Sequence, residues 1–104
     1  MNVVNLSGTL TRNAVGNNLD KALAFTLATP YAQDDPTNED RLAFVPCVVF
    51  QPHKALVETL STKGKGLKLE LEGRVANSSY EVNGERRYKT EVIVKNGSLR
   101  IVKQ

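Results

Sequence analysis

Phe44 and Phe50 share one strand phase in the apolar run LAFVPCVVF, so an extended chain would point both rings the same way. Tyr80 and Tyr88 bracket a turn; Arg86, Arg87 and Lys89 follow that turn and Arg74 precedes it. Tyr31 stands in an earlier polar stretch, and Lys63, Lys65 and Lys68 form a second basic group. Aromatic faces and cations set along strands can hold an unpaired nucleic-acid chain without reading its sequence. Each base offers a π-face to stack on, at about 1–3 kcal/mol, and each linkage a phosphate for Lys or Arg, with strong salt dependence.

The same residues admit plain structural roles. Strand phase leaves two arrangements open: Phe44 and Phe50 outward as a platform, or inward with Val45, Cys47 and Val49 outside. Phe25 reads as core. Tyr88 is in phase with Val92 and Val94, so it is expected inside the fold with its hydroxyl hydrogen-bonded. A lone lysine is usually only solvated; the Arg86-Arg87 pair beside a turn is the hardest to dismiss in that way.

Catalytic chemistry finds little to build on, and neither an enzyme nor a bound metal or cofactor is expected. His53 is the only histidine and Cys47 the only cysteine; a nucleophile pair needs contact and a third orienting group. Those two side chains cannot close a zinc site, so Cys47 reads as a small apolar filler and His53 as a helix-start residue. Lys63-Gly64-Lys65-Gly66 follows a helical stretch instead of opening one, so it lacks the geometry of a phosphate loop. Asp34, Asp35, Glu39 and Asp40 read as a solvated acidic loop.

The elements that must position these groups are mostly strands. Asn2 to Arg12 alternates, with Val4, Leu6, Gly8 and Leu10 on one face, and Gly8 marks a bend or a close backbone approach. Asn13 to Lys21 reads as a loop or hairpin turn. Ala22 to Thr29 forms a second strand with Leu23, Phe25 and Leu27 together, stopped by Pro30, and an exposed loop follows over 30–40. Arg41 to Gln51 is the third strand, where Pro46 implies an edge or a bulge. Pro52 opens the only helical candidate, His53 to Thr62, with Ala55, Leu56, Val57 and Leu60 clustered and Gly64 and Gly66 ending it. Leu67 to Tyr80 and Glu85 to Lys95 are joined at Asn83-Gly84, a strong hairpin signal, and Ser98 to Val102 is a short coda. A helix between the third and fourth of five short antiparallel strands predicts an all-β, five-stranded OB-fold barrel, one domain over residues 1–104. A small β-sandwich is the rival, but a helix inserted at that point is atypical of one.

The bulk numbers agree. The chain has 104 residues, 40% hydrophobic and 24% charged, ordinary for one globular domain. No apolar run could span a bilayer, the start does not read as a signal peptide, and the single cysteine fits a reducing, cytoplasmic home. Net charge is +3, unevenly spread: residues 1–40 hold two basic and five acidic side chains, residues 41–104 twelve and six. A basic half suits an anionic partner, although charge alone is equally that of a solvated surface.

The segments VNLSGTLT (4–11), LAFTLAT (23–29), FVPCVVF (44–50), KGLKLELEGRV (65–75) and NGERRYKTEVIV (83–94) resemble, in order, the bacterial single-stranded-DNA-binding protein family. The resemblance runs from about Val3 to Val102. It implies an OB fold, a homo-oligomer (a tetramer or dimer), and sequence-tolerant binding of single-stranded DNA in replication, repair or recombination. It also implies stacking roles: Phe44 falls where the family carries a tryptophan, Phe50 on its phenylalanine, Tyr80 near a further aromatic, and Tyr31 close to another. Arg86, Arg87 and Lys89 match a basic stretch; Arg74, Lys65 and Lys68 join the phosphate-binding set. The chain departs from the family in having no tryptophan, in Pro46 at a position often basic, and in two extra residues around Lys63-Gly64. It stops at Gln104, short of the family's linker and acidic tip, as a trimmed chain or a tailless phage, plasmid or primosomal-type relative would. The alternative function is an OB-fold accessory module of the replication-restart machinery that works mainly by docking replication proteins.

Overall fold

Alternation at the N-terminus becomes β1 (Val4–Leu10), with Leu10 buried and Asn5 and Ser7 outside. A computed structural model describes residues 1–16, 21–30 and 42–102 of the chain. The remaining elements are β2 (Val15–Gly16), β3 (Ala22–Pro30), β4 (Leu42–Phe50), α1 (Lys54–Lys63), β5 (Lys68–Val82), β6 (Glu85–Val94) and β7 (Arg100–Ile101). The two-residue β2 pairs antiparallel with Ala24 and Leu23 of β3, the hairpin alternative for this polar stretch. The acidic segment and Tyr31 lie outside the described residues. Among the described residues, no helix is long and apolar enough to cross a membrane.

The five long strands close a ring in the order β1-β3-β4-β6-β5, returning to β1. Four junctions are antiparallel, and the fifth, β4 to β6, is a short parallel contact through Cys47↔Val92 and Val48↔Ile93. Closure of this kind removes exposed sheet edges, the reason small barrels are stable at this length. It also forces β5 to serve two neighbours: β1 from Lys68 to Gly73, then β6 from Gly73 to Val82. Gly73 sits at the handover, where a Cβ would collide with the Ile93 carbonyl oxygen. Gly8 makes the close approach expected of it, since a Cβ there would lie 2.6 Å from the Ala28 oxygen.

Pro46 fits because of what stands beside it. The Thr26 carbonyl accepts the Thr11 N–H, so Thr26 turns its backbone toward β1, and its partner Pro46 therefore turns its own away from β3. On that far side pairing with β6 begins only at Cys47. The missing donor thus removes no ladder bond. β4 is an interior strand of the ring, so Pro46 marks no edge strand but a point where pairing on one side has not begun.

Inside the ring, Leu10, Leu23, Leu27, Cys47 and Leu69 are almost fully buried, with Phe25, Val49, Leu71, Val92 and Val94 around them. α1 contributes Leu60, wholly buried, with Leu56 and Val57 packed against the cluster; Ala55, expected with them, is exposed. The Leu60 carbonyl accepts the Ala14 N–H, which ties the helix across the barrel to the segment after β1. At the other extreme Asn83 and Gly84 take positive φ of 52° and 82°, the tight two-residue turn that Asn-Gly favours.

Leu60 is thus the residue through which the helix stops the barrel. Leu60→Ala should cost about 2–5 kcal/mol of stability, read from the urea unfolding midpoint. Lys54→Ala, on the exposed first turn, should shift it by no more than about 0.5 kcal/mol.

Candidate nucleic-acid interface

β4 resolves the two arrangements left open by phase. Cys47 and Val49 point into the core, Val45 is half-buried, and Phe44 and Phe50 stand outside with 64% and 47% of their surface exposed. Their cross-strand partners on β3 are Ala28 and Ala22. A methyl beside a phenyl ring leaves the ring's face uncovered, so each ring is a flat apolar surface open to a planar ligand.

Register carries this face across the sheet. Ala24, Val48, Ile93 and Arg74 form one row over β3, β4, β6 and β5, which puts Arg74 on the same side as the phenylalanines. Farther along the β5–β6 hairpin the same phase brings Tyr80 opposite Arg87 and Ser78 opposite Lys89. Two clefts join these parts. Phe50, Arg74 and Ile93 line one of about 510 Å³; Lys89, Arg12, Thr26 and Pro46 line another of about 310 Å³. Arg87 and Lys89 pair loosely with Glu85 (3.8 Å) and Glu91 (3.9 Å). Exposed pairs of this kind contribute about 0–1 kcal/mol and yield readily to a phosphate.

Arg86 and Arg87, adjacent in sequence, belong to opposite faces of the hairpin. Arg86 stands across from Glu81 and shares its side with Tyr88. Tyr88 is 71% exposed, which corrects the buried role expected of it. Its phase with Val92 and Val94 was read properly, but the core ends beneath it. Among the described residues β4 pairs only the Val92–Ile93 end of β6, and the rest of the hairpin runs past that pairing as an arm of β5 and β6.

The other basic candidates lie elsewhere. Lys65 sits in the turn after α1, where its backbone N–H donates to Asn13 Oδ1 at 2.9 Å, beside β1 and not β4. Lys68 faces Thr9 on the β1–β5 wall, across the ring from β4. That wall also carries Glu70 and Glu72, held by Arg100 (2.7 Å) and Lys95 (3.3 Å). Tyr31 falls outside the described residues. Two contributors went unnoticed in the sequence. Arg12 ends up beside Lys89, which only the fold reveals. Ile93 was legible as an apolar residue in the outward phase between Val92 and Val94.

The sequence matches the Single-strand binding protein family over residues 1–100. No curated protein matches it by sequence. Among solved structures it is similar to the Plasmodium falciparum SSB in complex with ssDNA (18% identity, 99% of this chain and 96% of that one, TM-score 0.72). It is similar also to the mitochondrial single-stranded DNA binding protein of S. cerevisiae (16% identity, 97% and 94% covered, TM-score 0.62).

Beneath the exposed face lies Cys47, whose Sγ contacts the Val45 carbonyl oxygen at 3.5 Å. Burial first, and then the Glu91 carboxylate, push its thiol from 9.0 up to about 12. A thiol so held is no nucleophile at neutral pH. The unfolded chain releases this proton near pH 9 and the folded one keeps it to about 12, so the associated stability is whole below pH 9 and falls as pH rises through that window. Denaturant midpoints measured from pH 8 to 11 should decline by about 1 kcal/mol per pH unit more in the wild type than in Cys47→Ala.

Proposed function

The chain belongs to the single-strand binding protein family, and we propose that it binds single-stranded DNA without sequence preference. Phe44, Phe50 and Tyr80 stack on bases, and Arg74, Arg87 and Lys89 take the phosphates. Arg86 receives the strand where it rounds the arm, and Tyr31 extends the stacking set. The observation that carries the reading is the exposed Phe44–Phe50 pair beside Ala28 and Ala22, with Phe50 sharing a cleft with Arg74, and with Pro46, between the two rings in sequence, sharing another with Lys89. A stacking surface bordered by cations recognises what all nucleotides share, the π-face and the phosphate, and nothing that distinguishes one base from another. Such binding suits the shielding of exposed strands in DNA replication, repair or recombination, by a homo-oligomer.

Fluorescence anisotropy with a labelled thymidine oligomer tests this. Binding at low salt should weaken as salt rises, with a log–log slope of roughly −0.7 per phosphate engaged. Phe44→Ala should raise Kd by about 5- to 150-fold, the worth of one stacked base. Replacing Arg87 and Lys89 together by Gln should flatten the salt slope by about 1.4. Absence of binding at low salt, or a Phe44→Ala variant that binds like the wild type, would overturn the proposal; tighter binding to a uridine oligomer would redirect it to RNA.

A further inference from the structure

The N-terminal residues reach the arm's root in an unusual way. Backbone pairing of β1 with β5 stops at Val4↔Gly73. Continuing that register one hydrogen-bonding step sets Asn2 across from Val75. The bonds found there come from the side chain of Asn2, not its backbone. Nδ2 donates to the Val75 carbonyl at 2.8 Å, and Oδ1 accepts the Val75 N–H at 3.0 Å. A primary amide has the donor and acceptor of a peptide unit, so this side chain reproduces the two-bond exchange of an antiparallel pair.

The location gives the exchange its consequence. Among the described residues, backbone pairing anchors the arm to the barrel at its root on two edges. On the β6 edge Val92 and Ile93 pair with β4; on the β5 edge the backbone ladder to β1 ends at Gly73. From Ala76 to Val82 the pairing partner of β5 is β6. Asn2 is therefore the outermost tether on the β5 edge, and it grips the residue next to Arg74. Gly73, where the chain changes partners, offers no side chain to stiffen the corner. The arm's cations and Tyr80 lie beyond this point, so the angle at which β5 leaves the barrel sets where they meet the Phe44–Phe50 face.

We propose that Asn2 is a positioning residue for DNA binding: its amide locks the β5–β6 arm at Val75 and so aligns Arg74, Tyr80, Arg87 and Lys89 with the aromatic face. The proposal rests on the DNA-binding reading given above, but its first test does not require DNA.

Amide hydrogen exchange on the free protein should show Val75 and the arm exchanging at least ten-fold faster in Asn2→Ala, with Leu69 and Leu71 in the barrel wall unchanged. Asn2→Asp, which keeps the acceptor but loses the donor, should loosen the arm in the same direction. With the thymidine oligomer, Asn2→Ala should raise Kd several-fold. That loss should vanish in a background where Arg74, Arg87 and Lys89 are already Gln and Tyr80 is Ala, yet add to the loss from Phe44→Ala. Unchanged exchange in the arm would overturn the tether. Faster exchange with unaltered Kd would overturn its role in binding, as would a loss that adds fully to the Arg74, Tyr80, Arg87 and Lys89 set, since Asn2 would then be touching DNA itself. Failure of the wild type to bind would sink the function but leave the exchange result to judge the tether.

Discussion

Closure of the ring through β5 is the constraint on which the rest depends. A single strand of fifteen residues pairs with β1 over its first six and with β6 over its last ten, Gly73 belonging to both, so it completes the barrel and then builds the arm. It can do both only because the chain changes partner at Gly73, where the Ile93 carbonyl occupies the space of a side chain. The parallel contact between β4 and β6 is short for a related reason. β6 must stay with β5 through the whole hairpin, and it meets β4 only where the two cross, at Cys47 and Val48. The arm is therefore a consequence of the closure and not an addition to it.

β4 shows how stability and binding occupy one strand without competing. Its odd positions, Val45, Cys47 and Val49, face the core; its even positions take the other face, where Phe44 and Phe50 are exposed, Pro46 is half-buried and Val48 is covered. A ring left in water forgoes roughly 1.5–3 kcal/mol of burial that a core position would have gained. The fold tolerates this because the opposite side of the same strand is packed against Phe25, Leu23 and Val92. Truncating Phe44 removes exposed surface, whereas truncating Val49 would open a cavity. Pro46 belongs to the same economy: it breaks no ladder bond and leaves a flat, donor-free surface between the two rings.

Local signals were readable in the sequence where the physics is local. The Asn83-Gly84 turn, the alternation of β1 and β5, the close backbone approach at Gly8 and the helix placed between β4 and β5 all follow from neighbouring residues. What could not be read is whatever depends on where the barrel ends. Tyr88 has the phase of a core residue, and only the shortness of the β4–β6 contact leaves it in solvent. Lys68 reads as basic and close to the other cations in sequence, but ring order sends it to the wall that carries Glu70 and Glu72. Phe44 and Phe50 were undecidable by phase, because Val45, Cys47 and Val49 would serve equally well on either side. Asn2, a polar residue before the first strand, gave no local sign of a partner far along the chain.

The proposed site is modest in its parts, and that bears on how it would work. One barrel offers two phenyl rings and Tyr80 for stacking, and Arg74, Arg87 and Lys89 for phosphates, several of them on an arm joined to the barrel at one corner. Each stack is worth about 1–3 kcal/mol before the cost of ordering the strand is counted. Phenylalanine offers less surface for stacking than a tryptophan would, so each copy is expected to bind weakly. A long strand that engages one copy, however, holds the next site at high effective concentration when copies are joined in an assembly. Affinity for a long strand would then be set by how many sites it passes over and by how rigidly each arm is held. On that reasoning a tether that removes disorder from the arm before DNA arrives acts once in every copy, and its effect is multiplied along the strand.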